Sequence, residues 1–300
     1  MKNIKIVKKS FFFTCTALLF AALALTSCGD ANSRYVRLAV HLMDKNGLFA
    51  EGPAWAAARQ EALSAKPASL EEAQETVRAA LKVAGGKHSF IYKADDVRED
   101  TAREWEMPEV RIEDGIAVIT LPHFSGNNEE AQKYTQSTLD AIPDSVRGAV
   151  IDLRGNTGGN MYPMIAAVHR FLPDDTILRF RTRKKTQPIL TSFVTRVAGV
   201  SQGSLLEVPV ALLTDGQTAS SGEAVLICFR GLDRARTFGA PTAGYASANQ
   251  PFPMPDGSKL VLTTGCDMAR TGEEFCDDPI APDVLTDTPL EDALNWLNNQ

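Results

Sequence analysis

Histidine is scarce in this 300-residue chain: His41, His88, His123 and His169 are all there is. No spacing of histidine or cysteine follows a metal-ligand pattern, so no metal and no cofactor is expected. Basic residues are in no excess. Lys and Arg number 31 against 37 acidic residues, for a formal charge of −6. A nucleic-acid binder would carry a basic patch, and that class is set aside. There is no internal repeat and no low-complexity linker. What is present is ordinary for a globular protein: 44% hydrophobic and 23% charged residues, enough for one large domain or two modest ones.

The first 27 residues do not belong to the fold. Lys2, Lys5, Lys8 and Lys9 form a basic start, and Phe11–Leu25 is an apolar stretch too short for a comfortable membrane span. It ends in Leu25-Thr26-Ser27-Cys28, which resembles a bacterial lipobox. The expectation is a signal peptide over 1–27, cleavage before Cys28, and acylation of that cysteine. Residues 28–33 then form a short tether. Losing four lysines takes the formal charge from −6 to −10. The protein is expected in the bacterial cell envelope, periplasm-facing or on the cell surface, anchored by lipid.

Three cysteines remain. Cys266 and Cys276 flank a turn-like stretch in an oxidising compartment and are either a hairpin disulfide or two free thiols. Cys228 lies in an apolar helical run and reads as core.

Residues 34–88 read as a small helical module. Three helical patterns cover Ser33–Leu48, Ala54–Leu63 and Ser69–Ala84, the last opened by Ser69 with Glu72 and stopped by Gly85-Gly86. Residues 89–300 alternate strands and helices, which implies an α/β core with parallel pairing. Buried strands are predicted at Gly148–Leu153 and Val208–Leu213, helices at Met161–Leu172 and Ser221–Phe229, and extended chain over Ile189–Val197.

Two of those strand-to-helix junctions stand out. Thr214–Glu223 reads TDGQTASSGE, and Asp152–Asn160 reads DLRGNTGGN. A serine at such a turn, beside a glycine-rich loop with free backbone N–H groups, is what an acyl-transfer nucleophile and its oxyanion hole require. Taken alone, Ser220 with Glu223 three positions on is also an ordinary helix capping box. Small neighbours (Ala219, Ser221, Gly222) leave room for a substrate, and the Ser221 N–H opens a helix whose dipole favours negative charge. Asp152 and Arg154 read as an ion pair that fixes the glycine loop.

The runs VPVALLTDGQTASSGEAV and GAVIDLRGNTGGNMYP, with the later FGAPTAG and PIAPDV, resemble the catalytic domain of the tail-specific (C-terminal processing) serine proteases. The resemblance covers nearly all of residues 34–298. It implies a ClpP/crotonase-like core of stacked ββα units with a small helical module packed on it. It also implies Ser220 as nucleophile, with Ser221 and Gly159, or alternatively Gly158, as oxyanion donors.

The general base departs from the processing members. They carry a lysine after a T-x-G motif, whereas Thr242-Ala243-Gly244 is followed here by Tyr245, a poor base at neutral pH. The chain is closer to the tricorn-core variety, in which a histidine in a Gly-x-x-His context serves. Gly85-Gly86-Lys87-His88 fits that position, and imidazole can take the Ser220 proton. His123 is the competitor; His41 and His169 read as surface or packing residues. Asp278 is the expected third member by family spacing, with Glu223 and Ser89 as alternatives. Only about twenty residues separate His88 from Val110, too few for the peptide-binding PDZ domain of the processing members. The expected function is a membrane-anchored serine peptidase acting on peptides or proteins without PDZ-type tail recognition. The alternatives are a peptide- or apolar-ligand-binding protein on the same fold, or a crotonase-like acyl or ester hydrolase.

Overall fold

The computed structural model describes residues 30–93, 105–200 and 205–300; the expected signal peptide and Cys28 lie outside them. Three helices open the described chain: α1 (Ala31–Asn46), α2 (Gly52–Ser64) and α3 (Leu70–Gly85). On α3 the buried side chains Ala73, Val77, Ala80, Leu81 and Ala84 recur every three or four residues, which puts them on one stripe. α1 does the same with Tyr35, Val36, Ala39, Val40 and Met43. Burying a Val or Leu fully is worth about 1.5–3 kcal/mol, so these stripes rather than helix propensity hold the helices together. Ser69 Oγ accepts the Glu72 N–H at 3.1 Å to start α3. The helices share one apolar cluster with Met254, Leu260 and Leu262, so their stripe is sealed by a sheet.

The remaining elements are β1 (Phe90–Tyr92), β2 (Glu109–Glu113), β3 (Ile116–Thr120), α4 (Asn128–Ala141), β4 (Gly148–Asp152), α5 (Met161–Ala167), β5 (Thr176–Thr182), β6 (Thr186–Leu190), α6 (Thr191–Ala198), β7 (Val210–Thr214), α7 (Ser221–Phe229), β8 (Ala235–Gly239), β9 (Ser247–Pro253), β10 (Lys259–Met268), β11 (Glu274–Phe275), β12 (Val284–Leu285) and α8 (Pro289–Leu297).

One sheet runs in the order β12-β8-β7-β4-β3-β2. All its pairs are parallel except the β2–β3 hairpin. Alternate residues of β3 explain its continuous apolar character. Ala117 and Ile119 join the cluster under α5 and α7, while Ile116 and Val118 face Ala293 and Leu297 of α8. The parallel pairing expected from the β/α alternation is therefore present. The second sheet, β1-β10-β5-β6 with β9 and β11 also on β10, is antiparallel throughout. It carries the helical module. The pattern of apolar residues announced no second sheet, because its strands are partly exposed and contain Gly, Pro and charged residues.

Two segments differ from expectation. Ile189–Val197 is extended only to Leu190, and Thr191–Ala198 is α6. Its Thr and Val content reads as strand, but burial of Val194 and a left-handed C-cap at Gly199 (φ 72°) make it a helix. The helix expected over Met161–Leu172 is α-helical to Ala167 and continues as a 3-10 turn over His169–Phe171. A disulfide joins Cys266 to Cys276 (Cα–Cα 4.8 Å), next to the β10–β11 pair Asp267–Phe275. Cys228 is free and fully buried.

Candidate active site

The loops that follow β4, β7 and β8 meet at the carboxyl end of the parallel sheet, where open α/β sheets place their sites. Each is tied to the next by buried polar groups. Asn156, fully buried, gives its Nδ2 to Leu121 O at 2.7 Å and takes the Gly158 N–H on Oδ1 at 2.9 Å. Its carbonyl accepts the Ala219 N–H at 2.9 Å, so one asparagine joins the glycine loop to the serine turn. Thr218 Oγ1 donates to Leu153 O at 2.9 Å. Asp152 and Arg154 form a two-pronged ion pair of 2.6 and 2.8 Å that closes the start of the glycine loop.

Ser220 sits at φ 52°, ψ −112°, one of only two non-glycine residues with positive φ among those described. Such a conformation persists only when its surroundings enforce it. The glycine loop lies against it: a Cβ on Gly158 would stand 2.9 Å from Ser220 Cβ and 3.1 Å from Ser221 N, at a φ of 104°. Gly159 pairs with Phe124 through an isolated parallel bridge, and its carbonyl accepts Ser221 Oγ at 2.6 Å. Among the described residues neither the Gly159 N–H nor the Ser221 N–H has a protein acceptor, whereas the Gly158 N–H is committed to Asn156. This favours Gly159 over Gly158 where free donors are wanted.

Glu223 is the centre of the arrangement. It is fully buried, and its carboxylate collects four donors: the N–H of Ser220 (2.8 Å), of Gly244 (2.9 Å) and of Tyr245 (2.7 Å), and the Thr242 hydroxyl. Burial raises its pKa, and these four donors oppose the rise. The sequence marks Glu223 as a capping residue and as an alternative to Asp278 beside the histidine; the three donors from the segment after β8 leave no trace in it.

His88 lies in the turn after α3. Its Nδ1 shares a 2.8 Å hydrogen bond with Ser247 Oγ at the start of β9, and its ring meets Tyr245 edge-on at 5.0 Å. Asn249 Nδ2 donates to the His88 carbonyl at 2.9 Å. Burial, with a smaller contribution from Lys87, lowers the imidazole pKa to about 4. The ring is neutral at physiological pH.

The other expected residues fall as follows. Asp278 is exposed and no hydrogen bond joins it to His88; the partner on the imidazole is Ser247, a residue that carries no sequence signal. Ser89 bonds Gly85 O and Thr263 rather than the ring. His123 precedes Phe124, which pairs with Gly159, and its Nε2 is buried and unpartnered. His169 is buried, with Nδ1 on Ala166 O, and His41 is exposed. Tyr245, at the position of the lysine base in processing members, offers its N–H to Glu223 and its ring face to His88 and Lys87. Among the described residues no group of three or more His, Cys, Asp and Glu is placed to hold a metal ion.

A strained serine at a strand-to-helix turn, apposed to a glycine loop, is the layout of a serine peptidase; among the described residues no hydrogen bond joins Ser220 to His88, whose Nδ1 is held by Ser247. The family model "Peptidase family S41" matches residues 115–286. The chain is 31% identical over 278 residues to a nisin-resistance protein of Lactococcus lactis, covering 89% of this chain and 87% of that one. It is 27% identical over 182 residues to a carboxy-terminal-processing protease of Bartonella bacilliformis, spanning 60% of this chain but only 41% of the relative. The solved structure of a lipoprotein from Streptococcus agalactiae superposes with a TM-score of 0.81 at 32% identity, covering 91% of this chain and 98% of that one. This chain belongs to peptidase family S41. It is a serine-type peptidase, and its substrates are peptides or proteins.

Proposed function

We propose that Ser220 is the nucleophile and His88 the general base of a lipid-anchored envelope peptidase. One arrangement carries the reading. Oε2 of Glu223 accepts both the Ser220 and Tyr245 N–H groups, and the Tyr245 ring lies against the His88 imidazole. The nucleophile's turn and the base's neighbour thus hang on one buried oxygen. With Ser247 on Nδ1, the other ring nitrogen is left to take the Ser220 proton as Oγ adds to the scissile carbonyl. His88 then protonates the leaving amine, and a water repeats the sequence on the acyl-enzyme. The Gly159 and Ser221 N–H groups hold the oxyanion. Losing one such donor typically costs about 3–4 kcal/mol of transition-state stabilisation.

Ser247 takes the orienting place for which Asp278 was expected. A hydroxyl holds the tautomer without the charge of a carboxylate, which agrees with a depressed imidazole pKa. Substrate selection is assigned to the core cleft, without a PDZ domain, through pairing of an extended peptide with a strand edge. The name of the Lactococcus relative nominates nisin as the first peptide to try. The lipoprotein relative and the lipobox at Cys28 together support an envelope location. No helix among the described residues is long and apolar enough to cross a membrane.

The deciding experiment is labelling by a fluorophosphonate, followed by nisin digestion read by mass spectrometry. Wild-type protein is labelled and Ser220→Ala is not; retained labelling in the variant removes Ser220 as nucleophile. Cys28→Ala is expected to leave an unacylated, released protein, and persistence in the membrane fraction would remove the anchor.

A further inference from the structure

We propose that Asp277 is a positioning residue for His88, and that the Cys266–Cys276 disulfide holds it in place. The inference rests on His88 acting as the base.

Asp277 follows Cys276 directly. Its Oδ2 accepts the N–H of Lys87, the residue before His88, at 3.1 Å. The turn is shaped to admit that carboxylate. Gly86 has φ +68°, and a Cβ there would stand 2.2 Å from Asp277 Oδ2 and 2.9 Å from the Phe49 ring. The opposite side of the same segment presses on the nucleophile's brace. A Cβ on Gly244, also at positive φ, would stand 2.9 Å from Asp277 O and 2.7 Å from the Asp278 carbonyl carbon. Gly244 is one of the donors to Glu223. Further along, Ile280 and Thr242 exchange two hydrogen bonds, of 2.9 and 3.1 Å. Residues 277–283 have neither helix nor strand of their own, yet they wedge between the two halves of the site. At their near end the fixed point is the disulfide to β10. The Asp277 Oδ1 is buried without a partner, so the carboxylate is set by where the chain puts it rather than by a ring of donors.

The geometry makes the base sensitive to reduction. An external dithiol attacks the Cys266–Cys276 bond through a mixed disulfide. It leaves as its own cyclic disulfide, having delivered two electrons and two protons, and Cys266 and Cys276 become thiols. The wedge then loses its tether, and Asp277 no longer fixes the turn before His88. Cys228 is free and fully buried, and takes no part.

The test compares wild-type, Asp277→Ala and Asp277→Asn proteins, oxidised and after dithiothreitol, by the kinetics of fluorophosphonate labelling. The probe separates the maximal labelling rate from the half-saturating concentration. Asp277→Ala should lower the maximal rate about tenfold, as a small misplacement of a catalytic group does, with half-saturation unchanged. Asp277→Asn should restore most of the rate, because its amide oxygen still accepts the Lys87 N–H. Dithiothreitol should slow the wild type by a similar factor and leave Asp277→Ala where it was, since both remove the same contact. A wild-type rate indifferent to reduction overturns the inference, as does an equal further loss in Asp277→Ala. Reduction acts on the already folded protein, so the result does not depend on a cysteine variant folding. If Ser220→Ala still labels, the peptidase reading itself fails; if it does not and the rate ignores reduction, only the role of Asp277 and the disulfide fails.

Discussion

The turn that carries Ser220 and the turn that carries His88 are built by different means. The first has a local clasp beside its ties to the glycine loop. Ser220 gives its N–H to Glu223, three residues on, and Asp215 takes the N–H groups of Gln217 and Thr218. The second is closed from afar. His88 meets Ser247 across 159 residues of sequence, its carbonyl meets Asn249 across 161, and the Lys87 N–H meets Asp277 across 190. Ser220 sits where a parallel sheet ends in a helix N-terminus, and the glycine loop and the segment after β8 brace that turn through Asn156 and Glu223. His88 lies in the turn before β1, and its partners come from β9 and from the segment after β11.

Breaking the local turn should have the largest effect. Ser220→Ala should reduce turnover by roughly 10⁴-fold or more while leaving the thermal midpoint nearly unchanged, measured on nisin or any peptide the enzyme cleaves. His88→Ala comes next, at about 10²–10⁴-fold. The wild-type pH profile sharpens this point. A base must be neutral, so activity should fall as pH drops through about 4, where burial has moved the imidazole, and not near the ordinary value of 6.5. An acid limb centred at 6–6.5 would show an imidazole less desolvated than its burial implies, and a profile unchanged in His88→Ala would remove His88 as the base.

Removing what joins the two turns should cost folding as well as rate. Glu223→Gln puts an amide NH₂ against N–H donors and should destabilise by about 3 kcal/mol, seen as a lower denaturation midpoint. Ser247→Ala should be milder, with kcat down about tenfold, KM unchanged and stability retained, because one tautomer-fixing bond is lost.

The last prediction concerns the antiparallel sheet and is read in stability rather than turnover. Asp267 on β10 is buried, and desolvation, with the nearby Glu223 adding to it, raises its pKa to about 8. In the unfolded chain it ionises near 3.9. Between those values the folded state binds the extra proton, so this residue's contribution is full below about 4 and is lost as pH rises through 8. Asp267→Asn should therefore stabilise the protein more at pH 9 than at pH 5. Equal shifts at both would show that the carboxyl is not held neutral.

Much of this was legible in the sequence for reasons that are local. The stripe of α3, the cap at Ser69, the apolar runs of β4 and β7 and the glycine loop all depend on residues within a few positions of one another. So does the pairing of Ser220 with Glu223. His88 was singled out by the resemblance to tricorn-core members, through the Gly85-Gly86-Lys87-His88 run, and not by any local periodicity. That Ser247 rather than Asp278 bonds the imidazole is not legible in the chain, because Ser247 is brought to the ring by the β9–β10 pairing, which has a bulge between Thr263 and Gly265. Nothing near Ser247 in the chain reports that register.

By itself, then, the sequence determined the helical module, the parallel α/β core and a serine beside a glycine loop, because each follows from short-range periodicity and backbone chemistry. Only the tertiary structure decided which carboxylate collects the donors around Ser220, which hydroxyl bonds His88, and that Asp277, next to the disulfide, accepts the Lys87 N–H. Those contacts come from two sheets meeting, and their partners lie well over a hundred residues apart for His88 and about twenty for Glu223.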